Sequence, residues 1–141
     1  MSYVPAPGKP DKPLPEYVSK NTIGGFSGTG GQFLYGINAL IPIEQIGGSA
    51  AGLGHLNSSL DEDGAVRFEP LVIDYYGQYY PSFALMIAAK SLNLTPKDIK
   101  ADAGRSVTVG GKTIRTDAYG QMYTYFYKDR DGKPAFPIDS F

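Results

Sequence analysis

The sequence lacks cysteine and tryptophan, and it contains a single histidine. Because there is no cysteine, disulfide bonds, thiolate-bound zinc and thiol catalysis are excluded, while either redox compartment remains compatible. A single histidine also excludes a multi-histidine metal site. Charged residues make up only 19% of the chain and the formal net charge is −1, so electrostatics gives no argument for binding nucleic acid or an anionic membrane.

Long hydrophobic runs are absent as well. No stretch of about 18 consecutive apolar residues occurs, so no segment of this sequence is expected to span a bilayer. The N-terminus has no charged segment followed by an apolar one, which a secretion signal requires. Because a proline-rich segment follows the first few residues directly, we expect the chain to be a piece of a longer protein.

The residues that are present indicate one globular domain preceded by an arm. Hydrophobic residues are 42% of the 141 residues, which is enough to bury a core without disulfides or metals. Residues 1–31 are rich in proline and glycine, and we predict a flexible arm there. Within it, residues 24–31 contain five glycines and are predicted to be a mobile loop. Residues 32–141 are expected to form the domain.

Strand and turn signals dominate the first half of the domain. Leu53, His55 and Asn57 alternate with Gly54, Leu56 and Ser58, which predicts a short strand. Residues 65–76 form a longer β-rich run, which Pro70 interrupts because proline has no N–H to donate to a neighbouring strand. A turn at residues 77–78 and a short return strand at residues 79–80 follow.

The second half adds a helix and a hairpin. Ser82 is a good N-cap, and the residues after it have helical spacing, with an apolar stripe formed by Phe83, Met86 and Ile87. Two glycines within residues 106–115 separate β-forming residues and predict a two-residue hairpin turn, and residues 122–127 predict a tyrosine-rich strand. The predicted fold class is α+β, with an antiparallel sheet, one main helix packed across it and a Gly/Pro-rich N-terminal arm.

Three short motifs resemble functional loops but lack required residues. Residues 109–113 (VGGKT) end like a phosphate-binding loop, but Ser106 stands where that loop needs glycine, and a hairpin turn is predicted instead. The patterns at 61–64 and 129–132 begin like calcium loops, but further ligands are missing, and solvated turns are predicted. We therefore assign no catalytic, metal-binding or cofactor-binding residue, and we expect no cofactor.

The candidate binding residues are one histidine, one asparagine and two tyrosines. His55 is either a structural residue hydrogen-bonded to a nearby turn, or a pH-sensitive or ligand-contacting group, since imidazole titrates near neutrality. The tyrosine pairs at 75–76 and 79–80 place one ring of each pair on either face of a sheet, which favours core packing or a ligand-facing aromatic wall. If a ligand binds, we expect it near His55, Asn57, Tyr79 and Tyr80.

Five short segments occur in the order that is found in a known family. They are residues 52–57 (GLGHLN), 61–67 (DEDGAVR), 80–85 (YPSFAL), 114–120 (IRTDAYG) and 136–141 (FPIDSF). Through these segments the chain resembles CHASE-type extracytoplasmic sensor domains of the second class, which are found in bacterial adenylate cyclases, histidine kinases and Ser/Thr kinases. The resemblance covers roughly residues 35–141, the C-terminal portion of such a sensor domain.

The resemblance implies an extracytoplasmic sensory domain on the periplasmic side of the inner membrane, with no catalysis of its own. The parent protein would be a membrane-anchored receptor, and its signal would be an unidentified small molecule or physical stimulus. The alternative is a free-standing β-rich binding module, for example for carbohydrate, that uses surface tyrosines. Because residues 1–31 show no trace of the further α/β half that usually begins the family's sensor domain, we expect uncovered apolar surface and a twofold homodimer.

Overall fold

The computed structural model describes residues 13–58, 60–129 and 131–137. The helices are α1 (Glu16–Ser19), α2 (Glu44–Gly47) and α3 (Phe83–Ser91), and a 3₁₀ turn covers Pro96–Asp98. The strands are β1 (Gly25–Ser27), β2 (Leu34–Tyr35), β3 (Phe68–Pro70), β4 (Val72–Tyr75), β5 (Gln78–Pro81), β6 (Ile99–Asp102), β7 (Ser106–Val109), β8 (Lys112–Arg115) and β9 (Gln121–Tyr123). The predicted α+β class is confirmed, with most strand pairs antiparallel.

The largest sheet has four strands in the order β1-β6-β7-β8. Strand β1 is parallel to β6, whereas β6, β7 and β8 pair antiparallel in succession. The turn between β7 and β8 has two glycines, Gly110 and Gly111, with φ of 55° and 76°. These left-handed angles match the right-handed twist of the flanking strands, and they confirm the predicted hairpin.

Strand β1 corrects the prediction of a mobile loop at residues 24–31. Its register places Phe26 opposite Ala101, and the N–H of Gly24 donates to the carbonyl oxygen of Ile99 at 2.9 Å. A Cβ atom on Gly24 would lie 1.7 Å from the carbonyl oxygen of Lys97. Glycine is therefore needed at position 24 because two backbones approach closely there, and not because the segment is flexible.

A second sheet has the strand order β2-β4-β5, and β3 pairs with β9 as a separate antiparallel ribbon. The predicted run at 65–76 is thus two strands in two sheets, with Leu71 between them. The N–H of Leu71 donates to the carbonyl oxygen of Gly120, and the carbonyl oxygen of Leu71 accepts from the N–H of Ser82. Because these bonds go to two different partners, the chain changes sheets just after Pro70.

The turn between β4 and β5 is centred one residue earlier than predicted. Tyr76 and Gly77 carry the left-handed angles, with φ of 53° and 82°. The carboxylate of Asp74 accepts a hydrogen bond from the N–H of Gly77 at 2.7 Å. An aspartate that caps its own turn in this way stabilises a conformation that a tyrosine alone would not favour.

Helix α3 is capped as predicted but buries a different face. The hydroxyl of Ser82 accepts from the N–H of Leu85 at 3.2 Å, which confirms Ser82 as the N-cap. The buried residues are Leu85, Met86 and Ala89, whereas Phe83 and Ile87 are 48% and 53% exposed. The predicted stripe is therefore wrong except at Met86, because leucine and alanine one turn apart are the residues that contact the core.

Two hydrophobic clusters lie on opposite faces of strand β4. The first contains Ile23, Phe33, Leu71, Val72, Leu85, Ala89, Ile99, Ala101, Ala103, Val107 and Val109. The second contains Val18, Ile73, Tyr75 and Tyr80. Because successive side chains of a strand point to opposite faces, Val72 joins the first cluster and Ile73 the second. The sheet β2-β4-β5 consequently separates the two clusters.

No helix within the described ranges combines the length and the apolar content that crossing a bilayer would require.

Candidate functional site

The segment at residues 52–58 lies against the start of helix α3. The N–H of His55 donates to the carbonyl oxygen of Pro81 at 3.0 Å, and the carbonyl oxygen of His55 accepts from the N–H of Phe83 at 2.8 Å. A Cβ atom on Gly54 would lie 2.6 Å from the Cα of Phe83, so only glycine permits this approach. The predicted strand at 53–57 is reduced to a single parallel bridge between His55 and Ser82.

The imidazole of His55 is held by its own segment. Its Nδ1 accepts a hydrogen bond from the N–H of Asn57 at 3.3 Å. Because Nδ1 is the acceptor, the proton of the neutral ring is assigned to Nε2. The Nε2 atom is buried, and no hydrogen-bond partner for it lies in the described part of the chain. An unpaired buried donor costs about 1–3 kcal/mol, so an acceptor group that reached this N–H would be bound favourably.

Burial controls the charge of His55. It lowers the pKa of this imidazole from 6.5 to about 4, because the charged form loses its hydration in the interior. At neutral pH the ring is therefore uncharged, and its Nε2–H is a donor without a partner in the described part of the chain. Both interpretations of His55 from the sequence remain open, since the ring is bonded to a neighbouring backbone group and also has one unused donor.

Asn57 completes the local arrangement. Its backbone N–H contacts the His55 ring, and the residue itself is exposed to solvent. A side-chain amide carries two donors and one acceptor oxygen. Asn57 therefore holds the imidazole through its backbone N–H and is itself exposed to solvent, in a segment that lies next to the N-terminus of α3.

The two tyrosines lie on opposite faces of strand β5, as the period of a strand requires. The ring of Tyr79 stacks on Phe26 with a centroid distance of 4.4 Å and contacts Phe33 edge to face at 5.8 Å. The structure thus places Tyr79 with the first hydrophobic cluster, which is the core-packing interpretation.

Tyr80 belongs to the second cluster and is buried. Its hydroxyl donates to the side-chain oxygen of Gln78 at 2.9 Å, and burial raises the pKa of this phenol to about 12. Consequently His55 and Asn57 come together, whereas Tyr79 and Tyr80 share no surface. That any of the four contacts a ligand stays a prediction.

The role of Arg67 was not predicted from the sequence. Its guanidinium binds both carboxylate oxygens of Asp63 at 2.6 Å and one oxygen of Asp61 at 2.8 Å. The hydrogen bond from Arg67 lowers the pKa of Asp63, and the two carboxylates raise the pKa of Arg67. The signal was an opposite charge four residues after Asp63, a common spacing for ion pairs.

The ion pairs close the loop at residues 61–67, and a backbone hydrogen bond joins the end of this loop to the residue after strand β9. Gly64 takes a left-handed φ of 80° at the turn, and the carbonyl oxygen of Arg67 accepts from the N–H of Thr124 at 2.8 Å. Arginine therefore occupies the carboxylates that a calcium loop would use for its ion. No three His, Cys, Asp or Glu side chains are grouped as metal ligands anywhere in residues 13–58, 60–129 and 131–137.

Neither His55 nor Asn57 lines either of two open depressions on the described part of the surface. One, of about 380 Å³, lies along strands β1, β6 and β7 and is lined by Gly25, Phe26, Ser27, Lys100, Ala101, Asp102, Ser106 and Thr108. The other, of about 400 Å³, is lined by Pro15, Glu16, Tyr17, Lys20 and Glu44. Both depressions contain charged side chains, so neither is an apolar groove.

Comparison with known proteins identifies the family. The family model described as the CHASE2 domain matches residues 6–141, nearly the whole chain. The match begins well before residue 35, so it includes most of the segment that we predicted to be an arm. No curated protein and no solved structure gives a significant match. The chain therefore belongs to the CHASE2 domain family, whose members are extracellular sensory domains of signalling proteins.

Proposed function

We propose that this chain is the periplasmic sensory domain of a bacterial transmembrane receptor, such as an adenylate or guanylate cyclase or a kinase. The observation that carries the proposal is the CHASE2 match over residues 6–141. The domain itself would carry out no reaction. The signalling output would belong to another part of the parent protein, anchored in the membrane.

The contacts of His55 suggest how a signal would reach the rest of the domain. A small molecule with an acceptor group, such as a carboxylate or carbonyl oxygen, would take the free Nε2–H and contact the exposed amide of Asn57. The backbone of His55 is bonded to Pro81 and Phe83, which lie on either side of the N-cap of α3. Movement of the 52–58 segment would therefore act directly on this helix.

The location of the domain is tested by labelling the full-length receptor in intact cells. This chain has no cysteine, so Lys112→Cys places one thiol at the exposed start of β8. A membrane-impermeant maleimide should label this variant without lysis. The buried variant Val107→Cys should react only after denaturation, and the parent receptor without either substitution gives the background. Labelling of Lys112→Cys that requires lysis would place the domain in the cytoplasm.

A second candidate function is that of a carbohydrate-binding module, and the observation in its favour is a group of exposed aromatic residues. Tyr125 and Tyr127 are exposed, and their rings meet edge to face at 5.1 Å. Phe136 contacts Tyr127 at 5.2 Å, which makes a row of three rings on the surface. Binding of the isolated chain to a soluble glucan, lost in Tyr125→Ala and kept in His55→Ala, would support this function over small-molecule sensing.

We further propose a twofold homodimer through helix α3. Phe83 and Ile87 leave an apolar face of this helix in solvent, and Leu56 on the neighbouring segment is also exposed. A self-complementary patch of this kind is buried when two copies meet across a twofold axis.

A further inference from the structure

A loop of aliphatic residues protrudes from the domain between β2 and α2. Residues 36–43 have no helix or strand, and the apolar side chains exposed there and in α2 are those of Ile37, Leu40, Ile41, Ile43 and Ile46. Leu40 is 104% exposed, as much as in an isolated extended peptide. We name residues 37–43 the aliphatic loop.

Two tyrosine hydroxyls fix the aliphatic loop at its ends. The hydroxyl of Tyr76 donates to the carbonyl oxygen of Ile37 at 3.1 Å, and that of Tyr17 donates to the carbonyl oxygen of Pro42 at 2.8 Å. Tyr17 is itself held against α2, because a Cβ atom on Gly47 would lie 2.6 Å from its ring. The loop is thus anchored in a protruding position, and its aliphatic side chains do not fold back onto the domain.

The chemistry of the loop matches that of a lipid interface. No charged residue occurs from position 21 to position 43, between Lys20 and Glu44, so inserting the tip would bury no charge. Behind the tip, the ring of Tyr76 contacts that of Tyr35 edge to face at 5.7 Å. Tyrosines placed behind an aliphatic tip are favoured at the level of the lipid headgroups, where the ring is buried and the hydroxyl stays hydrated.

The shape of the loop favours a bilayer over a protein partner. A protruding tip needs an apolar groove on a protein, and the two depressions described above are lined in part by Lys, Asp or Glu. A second copy would not receive the tip there. A bilayer is fluid and takes up a protruding apolar tip without a preformed groove.

We propose that the aliphatic loop inserts into the interface of a lipid bilayer, with Leu40 and Ile41 as the inserted residues. The inference rests on the proposed function in one respect, because a membrane-anchored receptor places the domain beside a bilayer. It adds a direct contact between the sensory domain and lipid. Because the loop is uncharged, zwitterionic lipid should suffice for binding.

Tryptophan fluorescence tests this insertion at a single position. The chain has no tryptophan, so in Leu40→Trp the emission comes from the loop alone. With phosphatidylcholine vesicles we expect the emission to shift to shorter wavelength and to be quenched by brominated lipid. The matched control is Lys112→Trp, which places the reporter at the exposed start of β8, outside every surface proposed here as a contact, and should be insensitive to vesicles. Circular dichroism of both variants shows that the fold is retained.

A second measurement uses the unlabelled protein. Leu40→Ser combined with Ile41→Ser should weaken sedimentation with the same vesicles by at least about tenfold, because two aliphatic side chains no longer leave water. Tyr76→Phe removes one of the anchoring hydrogen bonds and should weaken it less. Three outcomes would overturn the proposal. They are no shift in Leu40→Trp, an equal shift in Lys112→Trp, or a shift without vesicles that grows with protein concentration, which would mean that a second copy covers the loop. None of them bears on the labelling test of the sensory function.

Discussion

The carbonyl oxygen of His55 accepts a hydrogen bond from the N–H of Phe83, the first residue of helix α3, at 2.8 Å. This bond joins two of the segments through which the sequence resembles its family, 52–57 and 80–85. It also places a buried, uncharged imidazole at the N-terminus of the longest helix in the described residues. The two segments therefore act as one structural unit.

The lowered pKa of His55 predicts a loss of stability in acid. Between pH 6.5 and about 4 the unfolded chain binds a proton that the folded chain does not, so the free energy of unfolding is highest above pH 6.5 and falls toward pH 4. The shift corresponds to at most about 3 kcal/mol. Urea unfolding at pH 7.5 and at pH 4.5 measures the difference in the free energy of unfolding between the two pH values.

The control for this experiment is His55→Gln, which keeps a polar side chain that does not titrate. Its stability should fall less between the two pH values than that of the wild type. The carboxylates of Asp63 and Asp98, whose pKa values are lowered by hydrogen bonds from Arg67 and Thr95, contribute equally to both proteins. Equal slopes in the two proteins would contradict the assignment to His55.

Gly54→Ala should separate the 52–58 segment from α3. The new Cβ atom would lie 2.6 Å from the Cα of Phe83, where backbone must move. We expect a loss of about 2 kcal/mol or more in the free energy of unfolding. Gly25→Ala is the matched control, because its Cβ would meet only the side chain of Lys100 at 3.7 Å, and its stability should be unchanged or slightly higher. Similar effects of the two substitutions would show that the close approach is unimportant.

Arg67→Lys should loosen the loop at residues 61–67 with little change in global stability. Lysine cannot bind both oxygens of Asp63 at once, but the ion pairs are exposed to solvent and contribute little to folding. We expect faster amide exchange at Gly64 and Ala65 and a small decrease in Tm that high salt reduces. Lys112→Ala, on the distant hairpin, should leave exchange in this loop unchanged. Unaltered exchange in Arg67→Lys would mean that the backbone bonds alone hold the loop.

Ile87→Glu should abolish self-association if α3 forms the dimer contact. A carboxylate at a buried twofold patch would face its own copy, and both burial and like charge oppose association. Light scattering should then give the monomer mass for Ile87→Glu and the dimer mass for Phe126→Glu, an exposed apolar residue outside α3. A monomeric wild-type protein at all workable concentrations would exclude the dimer.

Local signals predicted the elements that depend on neighbouring residues. Ser82 marks the start of α3, and Gly110 and Gly111 mark the hairpin, because caps and turns are decided within a few residues. The alternation in β5 likewise predicted that Tyr79 and Tyr80 face opposite sides. What these rings contact could not be predicted, because Phe26 reaches Tyr79 through the long-range fold.

Long-range pairing explains the elements that were missed. Strand β1 looks like a glycine-rich loop, and only its distant partner β6 makes it a strand. The run at 65–76 is divided into two strands because Leu71 has two distant backbone partners. Its N–H donates to the carbonyl oxygen of Gly120, and its carbonyl oxygen accepts from the N–H of Ser82. At the candidate site, Asn57 contacts the His55 ring because the two residues are only two positions apart. Burial of the imidazole could not be predicted from the sequence, because it depends on contact with α3, which is distant along the chain.

Sheet β2-β4-β5 lies between two hydrophobic clusters and packs against both of them. Because packed interiors resist compression, a displacement of side chains in one cluster is transmitted through the sheet to the other cluster. Strand β5 runs directly into Ser82 and α3. A displacement of Tyr80 from the side of α1 and a displacement of Tyr79 from the side of β1 would therefore both be transmitted to the same helix, α3.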